Sequence, residues 1–128
     1  MNLQTFTSFE GRIPRMTFWL SVIVLWIIEM VLFTLFGGMS MMNVDPNDPA
    51  AAQAALSGMW PIWIIGLIFL WPALAIYAKR WHDRDKSGWW SLIVLVPIIG
   101  SIWLLIELGF LRGTDGANRF GPDPLAGR

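Results

Sequence analysis

The feature that most limits how this chain folds is the alternation of long apolar runs with one short charged stretch. Residues 17–36, 60–78 and 89–111 are each close to the roughly 20 apolar residues that cross the hydrocarbon core of a bilayer. Between the second and third runs, in residues 78–90, six of thirteen residues carry formal charge, and the single histidine is there. Over the 128 residues, 55% are hydrophobic and 14% charged, against about 25% charged in an ordinary soluble domain. A soluble domain of this length has no interior large enough to hide so much apolar surface. The sequence therefore predicts an all-α membrane protein, one integral membrane domain over 1–128. Its expected parts are an interfacial segment 1–16, a span 17–37, an outer loop 38–58 and a second span 59–78. A charged cytoplasmic loop 79–88, a third apolar segment 89–111 and a tail 112–128 follow.

The first segment mixes Phe6, Phe9, Ile13 and Met16 with Glu10, Arg12 and Arg15. Gly11 and Pro14 argue against one continuous helix, and a short interfacial segment fits better, aromatics in the headgroup region and arginines towards water or phosphate. It is not expected to be a signal peptide, because Glu10 interrupts it and no small-residue cleavage site follows. Thr17 is the expected N-cap of the first span, and Gly37-Gly38 its end. Asp48-Pro49 predicts a short helix over 50–56, with Asp as N-cap and Pro at the first helical position. The second span has Trp60 and Trp63 at one end and Tyr77 and Trp81 at the other, the aromatic belt of the two interfaces. Pro72 is expected to kink it.

The third segment has the length of a full span, and length favours that reading. Pro97 and Gly100 nevertheless interrupt it, which leaves the alternative of a re-entrant hairpin, an irregular backbone that must be sheltered. Lys and Arg are confined to three places: Arg12 and Arg15; Lys79, Arg80, Arg84 and Lys86; Arg112, Arg119 and Arg128. The positive-inside rule puts the N-terminus and the 79–88 loop in the cytoplasm. Three spans would place the tail outside, and a hairpin would put every positive residue on one side.

Formal net charge is zero and there is no cysteine. No global field attracts nucleic acid, and disulfides, thiolate metal sites and cysteine nucleophiles are excluded. Glu29 stands near the middle of the first span, where a charged carboxylate costs on the order of 2.5–3.5 kcal/mol. It is read either as a candidate intramembrane proton or cation site, or as a protonated acid bonded to a carbonyl. Glu107 is expected to reach an interface or pair with Arg112. Neighbouring residues of a helix face different ways, so His82-Asp83 is not a preformed dyad, and one histidine falls short of a zinc constellation. Arg80, Arg84 and Lys86 are expected to meet lipid phosphate while Asp83 and Asp85 pair locally, with Ser87 capping the third segment. No catalytic, cofactor or metal site is expected.

Three motifs resemble those of the small bacterial inner-membrane proteins grouped as domain-of-unknown-function family 805. The first is Phe9, Gly11, Arg12, Arg15, Phe18 and Trp19. The second is Lys79, Arg80, Trp81, His82, Asp83, Ser87, Gly88 and Trp89, followed by Pro97, Ile99 and Gly100. The third is Gly113, Gly116, Asn118, Arg119, Phe120, Gly121, Asp123 and Pro124. The chain departs from the pattern at Lys79 for Arg, Trp81 for Leu and Asp85 where Gly is common. The resemblance covers nearly the whole chain in order. It implies a multi-pass protein of the bacterial inner (plasma) membrane and no established activity.

The function these readings favour is a non-enzymatic membrane component. Arg12, Arg15, Arg80, His82, Asp83, Asn118 and Arg119 would form a polar layer for anionic lipid headgroups or a membrane-protein partner. The alternative is a small homo-oligomeric transporter or channel-like component with Glu29 in a polar path. An enzyme acting on lipid through His82 and Asp83 ranks last, because no nucleophile stands in a suitable setting.

Overall fold

A computed structural model of the chain describes residues 2–125; Arg128 of the tail lies outside them. The described residues form five α-helices, α1 (Leu3–Thr7), α2 (Arg15–Leu35), α3 (Gly38–Met42), α4 (Pro49–Ser57) and α5 (Trp60–Asp83). A 3-10 helix, Gly88–Leu95, and a sixth α-helix, α6 (Ile99–Leu105), follow, and α6 continues into a π-helical turn, Ile106–Phe110. Among the described residues there is no β-strand, only an isolated bridge between Asn118 and Gly121. Two helices, α2 and α5, are long and apolar enough to cross a membrane.

Both helices begin or end away from the limits expected for the two spans. The amide of Phe18 already donates to the Pro14 carbonyl at 3.0 Å, so α2 starts at Arg15 and Thr17 is not its cap. Gly37, at φ +102°, supplies the left-handed turn that ends this helix. Helix α5 runs through Pro72 and on to Asp83. The expected loop 79–88 is therefore mostly helix, and only Arg84 to Ser87 is left between α5 and the 3-10 helix.

The described residues fall into two compact units, one within 1–23 and 71–128, the other 24–70. Within the second, Asp48 caps α4 as predicted, accepting from the amides of Ala50 at 3.1 Å and Ala51 at 3.2 Å.

The first unit holds the third apolar segment, which is doubled back on itself and not one long helix. Pro97 has no amide to donate, so the helical ladder stops there. Ile98 sits at φ 65° and ψ −65°, and the Ile99 amide donates back across it to the Pro97 carbonyl at 2.7 Å. This is a γ-turn of positive φ, a rare conformation that a β-branched residue adopts only under constraint. Gly100 permits the close approach of the two arms that holds Ile98 there. A Cβ built at Gly100 would stand 1.7 Å from the Ile93 carbonyl oxygen, so the two arms touch backbone to backbone at that point. The core of the unit is Phe18, Ala75, Ile76, Trp81, Leu104 and Leu108.

Candidate functional site: a polar cap closed by arginine

A hairpin that returns to its starting level leaves the carbonyls of its last turn without helical partners. Here five consecutive carbonyls, 108 to 112, each receive a side-chain donor. Arg80 Nε reaches Leu108 at 2.6 Å, Trp19 Nε1 reaches Gly109 at 2.9 Å, and Arg15 reaches Phe110 at 2.9 Å. Arg80 also donates to the Leu111 carbonyl, and Arg84 to that of Arg112. Cations at a helix C-terminus also meet the negative end of its dipole. The same device closes α1, where Lys79 Nζ donates to the carbonyls of Gln4 and, at 2.8 Å, Thr5.

Asp83 is the hub. It is the last residue of α5, and it is buried. Its Oδ1 accepts from Arg12 Nε at 3.1 Å and lies 3.0 Å from Arg12 Nη2. Its other oxygen accepts from Arg80, three residues earlier on the same helix. Arg12 then turns the rest of its guanidinium to the tail: Nη2 donates to Thr114 at 2.6 Å, and Nη1 to Gly116 at 2.7 Å and Gly121 at 3.3 Å. Its side chain is 1% exposed. The carboxylate thus holds two buried guanidiniums, and backbone carbonyls accept from their other nitrogens.

The tail closes α5 in return. Thr114 donates its amide to the Asp83 carbonyl at 2.6 Å, and the Asn118 side-chain amide donates to the His82 carbonyl at 2.9 Å. His82 Nδ1 lies 2.9 Å from the Gly11 carbonyl, which fixes the proton on that nitrogen. Phe120 stacks on the ring at 4.0 Å and 5°. Gly113 is required where it stands, because a Cβ there would lie 1.9 Å from Asp83 Oδ2. Asp123 accepts from the amides of Leu125 at 2.9 Å and Gly116 at 3.0 Å, and these donors hold its carboxyl below the ordinary range.

Of the residues expected to form the polar layer, Arg12, Arg80, His82, Asp83 and Asn118 meet in one cluster. Arg15 joins it through Phe110, and Arg119 lies at its rim, donating to the Asp85 carbonyl at 3.1 Å. Loop and N-terminal segment pack together as expected, and Ser87 does cap the 3-10 helix. Three expectations are corrected. Arg80 is 0% exposed and bonded to carbonyls, so it is not placed for lipid phosphate. Arg84 and Lys86 point to Glu107, at 3.0 and 2.8 Å. Glu107 pairs with these two and not with Arg112, which bonds Asp115 at 2.8 Å.

Sequence reasoning missed the roles of Lys79, Thr114 and Gly113. Lys79 stands near the C-terminus of α5 but closes the carbonyls of α1, a partner that no local signal in the sequence indicates. Glu29 belongs to the other unit. It is exposed along α2 and borders a groove of about 280 Å³ with Trp26, Phe33 and Ile65 among its walls. Among the described residues no group of three or more His, Cys, Asp or Glu could hold a metal ion.

The family described as "Protein of unknown function (DUF805)" matches residues 6–122. Inner membrane protein YhaH of Escherichia coli K12 is 36% identical over 123 residues, 95% of this chain and 91% of the relative. Inner membrane protein YhaI of the same strain is 32% identical over 126 residues, 98% and 92% of the two chains. The uncharacterized protein YiiR is 28% identical over 140 residues, 91% and 85%. No solved structure matches.

Proposed function

The chain belongs to the DUF805 family, and from that premise we propose that it is a non-enzymatic, lipid-interacting component of the bacterial inner membrane. It has two spans and one re-entrant hairpin, with the N-terminus, the 84–87 loop and the tail together on the cytoplasmic side. The observation that carries this reading is the convergence of all three motif segments on Asp83. A tail that donates its Thr114 amide to the end of α5 stands on the same side of the bilayer as that end. The hairpin arms agree in length. Eight residues of 3-10 helix at about 2.0 Å and the twelve of 99–110 at about 1.5 Å each give roughly 16–18 Å, half of a core of about 30 Å.

The buried arginines are structural in this reading, and the rim cations Arg15, Arg112 and Arg119 face anionic headgroups. A C-terminal reporter that is active only in the cytoplasm is expected to be active. Replacing the three rim arginines by alanine is expected to lower co-purified anionic phospholipid at least ten-fold, since each basic residue near the surface contributes about 1 kcal/mol. An inactive reporter, or unchanged lipid retention, overturns the proposal.

The exposure of Glu29 favours a second reading. A carboxyl at this depth faces a bundle interior or a water-filled path in most spans, so a second copy covering this face gives a small oligomeric transporter. Proteoliposomes carrying Glu29→Gln should then lose proton or cation flux; flux equal to the parent's removes this reading.

A further inference from the structure

Beside the polar cap, and within the same unit, lies a cavity of about 380 Å³ walled mainly by Phe9, Leu74, Trp89 and Leu92. Three polar side chains line it, His82, Ser87 and Ser91, and the Ser87 hydroxyl is engaged by the Trp89 amide at 3.3 Å. Ser91 is 6% exposed, and its hydroxyl has no hydrogen-bond partner among the described residues. That is costly for a buried hydroxyl, which ordinarily finds an acceptor. It sits in the 3-10 helix, on the arm that leaves the charged loop. His82 is oriented for the same space. The Gly11 carbonyl holds a proton on Nδ1, so in the neutral ring the lone pair is on Nε2. That nitrogen lies towards Gly88, 3.8 Å from where a Cβ would be, and Gly88 is part of the cavity wall.

We propose that this cavity is a binding site for the hydroxyl end of an uncharged glycerolipid such as a diacylglycerol. The ligand hydroxyl donates to His82 Nε2, and the Ser91 hydroxyl, buried in the cavity wall, turns to donate to an ester or hydroxyl oxygen of the ligand. An apolar wall with a few placed polar groups is the usual construction of such a site. Charge selects the class. No lysine or arginine lines the cavity, so a phosphate there would have no counter-ion, and an uncharged headgroup is preferred over an anionic one. Size selects the part of the ligand. At about 30 Å³ for each water-sized group, the cavity holds roughly a dozen, enough for a glyceryl ester and its first methylenes. The remaining chain leaves past Trp89, which is 78% exposed, into the acyl region where an interfacial hairpin would stand. The proposal rests on the chain being embedded in a bilayer.

The test is photolabelling of the full chain in proteoliposomes with a diacylglycerol carrying a diazirine near the head of one acyl chain. Labelling of peptides from 82 to 92 is expected, displaced by unlabelled diacylglycerol and not by phosphatidylglycerol. Ser91→Ala is expected to reduce it about ten-fold, the value of one buried hydrogen bond to the ligand, without loss of folding. Leu74→Trp, which fills the cavity, should abolish it. Unchanged labelling in both variants, or equal displacement by phosphatidylglycerol, overturns the proposal. Diffuse labelling of 17–36 from a probe with its diazirine at the chain terminus reports embedding by itself. If that signal is present and the 82–92 signal absent, the site fails and the membrane reading stands.

Discussion

Asp83→Ala is expected to be the most destabilising single substitution of a side chain in the polar cap, at about 3–5 kcal/mol. Two guanidiniums, Arg12 and Arg80, share the Asp83 carboxylate, and both are buried. Removing one partner of a buried ion pair leaves the other charge desolvated and uncompensated, which is the source of that magnitude. Here the loss falls on two cations together. The carbonyls of 108, 111, 114, 116 and 121 still accept from them, but carbonyl dipoles do not replace a formal charge. Asp83→Asn keeps an acceptor and loses the charge, so it should fall between parent and alanine variant. The measurement is equilibrium unfolding in detergent, read by tryptophan fluorescence, for which the chain has nine reporters. A loss under about 1 kcal/mol for Asp83→Ala would show that the cap does not depend on its charge.

The second large effect belongs to the hairpin. Gly100→Ala places a methyl group 1.7 Å from the Ile93 carbonyl oxygen and 2.8 Å from its carbon. Neither is the end of a flexible side chain, so the arms must part. Overpacking of this kind costs about 1–3 kcal/mol where side chains yield, and the backbone contact puts this one at the upper end or beyond. Amide hydrogen exchange should report it locally, with protection lost in 88–110 and kept in 24–70. Gly66→Ala is the control: nothing lies within 4 Å of its added Cβ, and alanine is the better helix former. Equal exchange in the two variants would mean that the arms do not meet at Gly100.

The sequence made some of this legible and hid the rest for definite reasons. Hydropathy and length identified the two helices long and apolar enough to cross a membrane, α2 and α5, because backbone satisfaction in lipid leaves little choice but a helix. The Asp48 cap and the break at Pro97 were equally readable, each resting on one residue's local chemistry. The choice between a full third span and a hairpin was not readable. Length and composition of 89–111 permit either, and the deciding contact, Gly100 against Ile93, depends on how the arms pack. In the cap, the motif residues were identified and their partners mistaken. Arg80 was assigned to lipid phosphate because a cation at a span's end usually meets one. Its true acceptors, Leu108 and Leu111, are apolar residues whose side chains give no hint of carbonyls to be closed. The extension of α5 to Asp83 escaped notice for the same reason: a charged helical turn looks like a loop until its carbonyls and charges find partners.

The reach of Arg12 bears on the order in which the protein is made. Its acceptors at Thr114, Gly116 and Gly121 lie 102, 104 and 109 residues further along the chain. At about 5–20 residues per second, the ribosome delivers them roughly 5–20 s after Arg12 itself. Both long helices are synthesised within that interval, and until it ends the guanidinium has only water, lipid phosphate and, once it is made, Asp83 to meet. Assembly of the cap therefore waits for residues 114–121, and their arrival decides when the N-terminal segment is sealed.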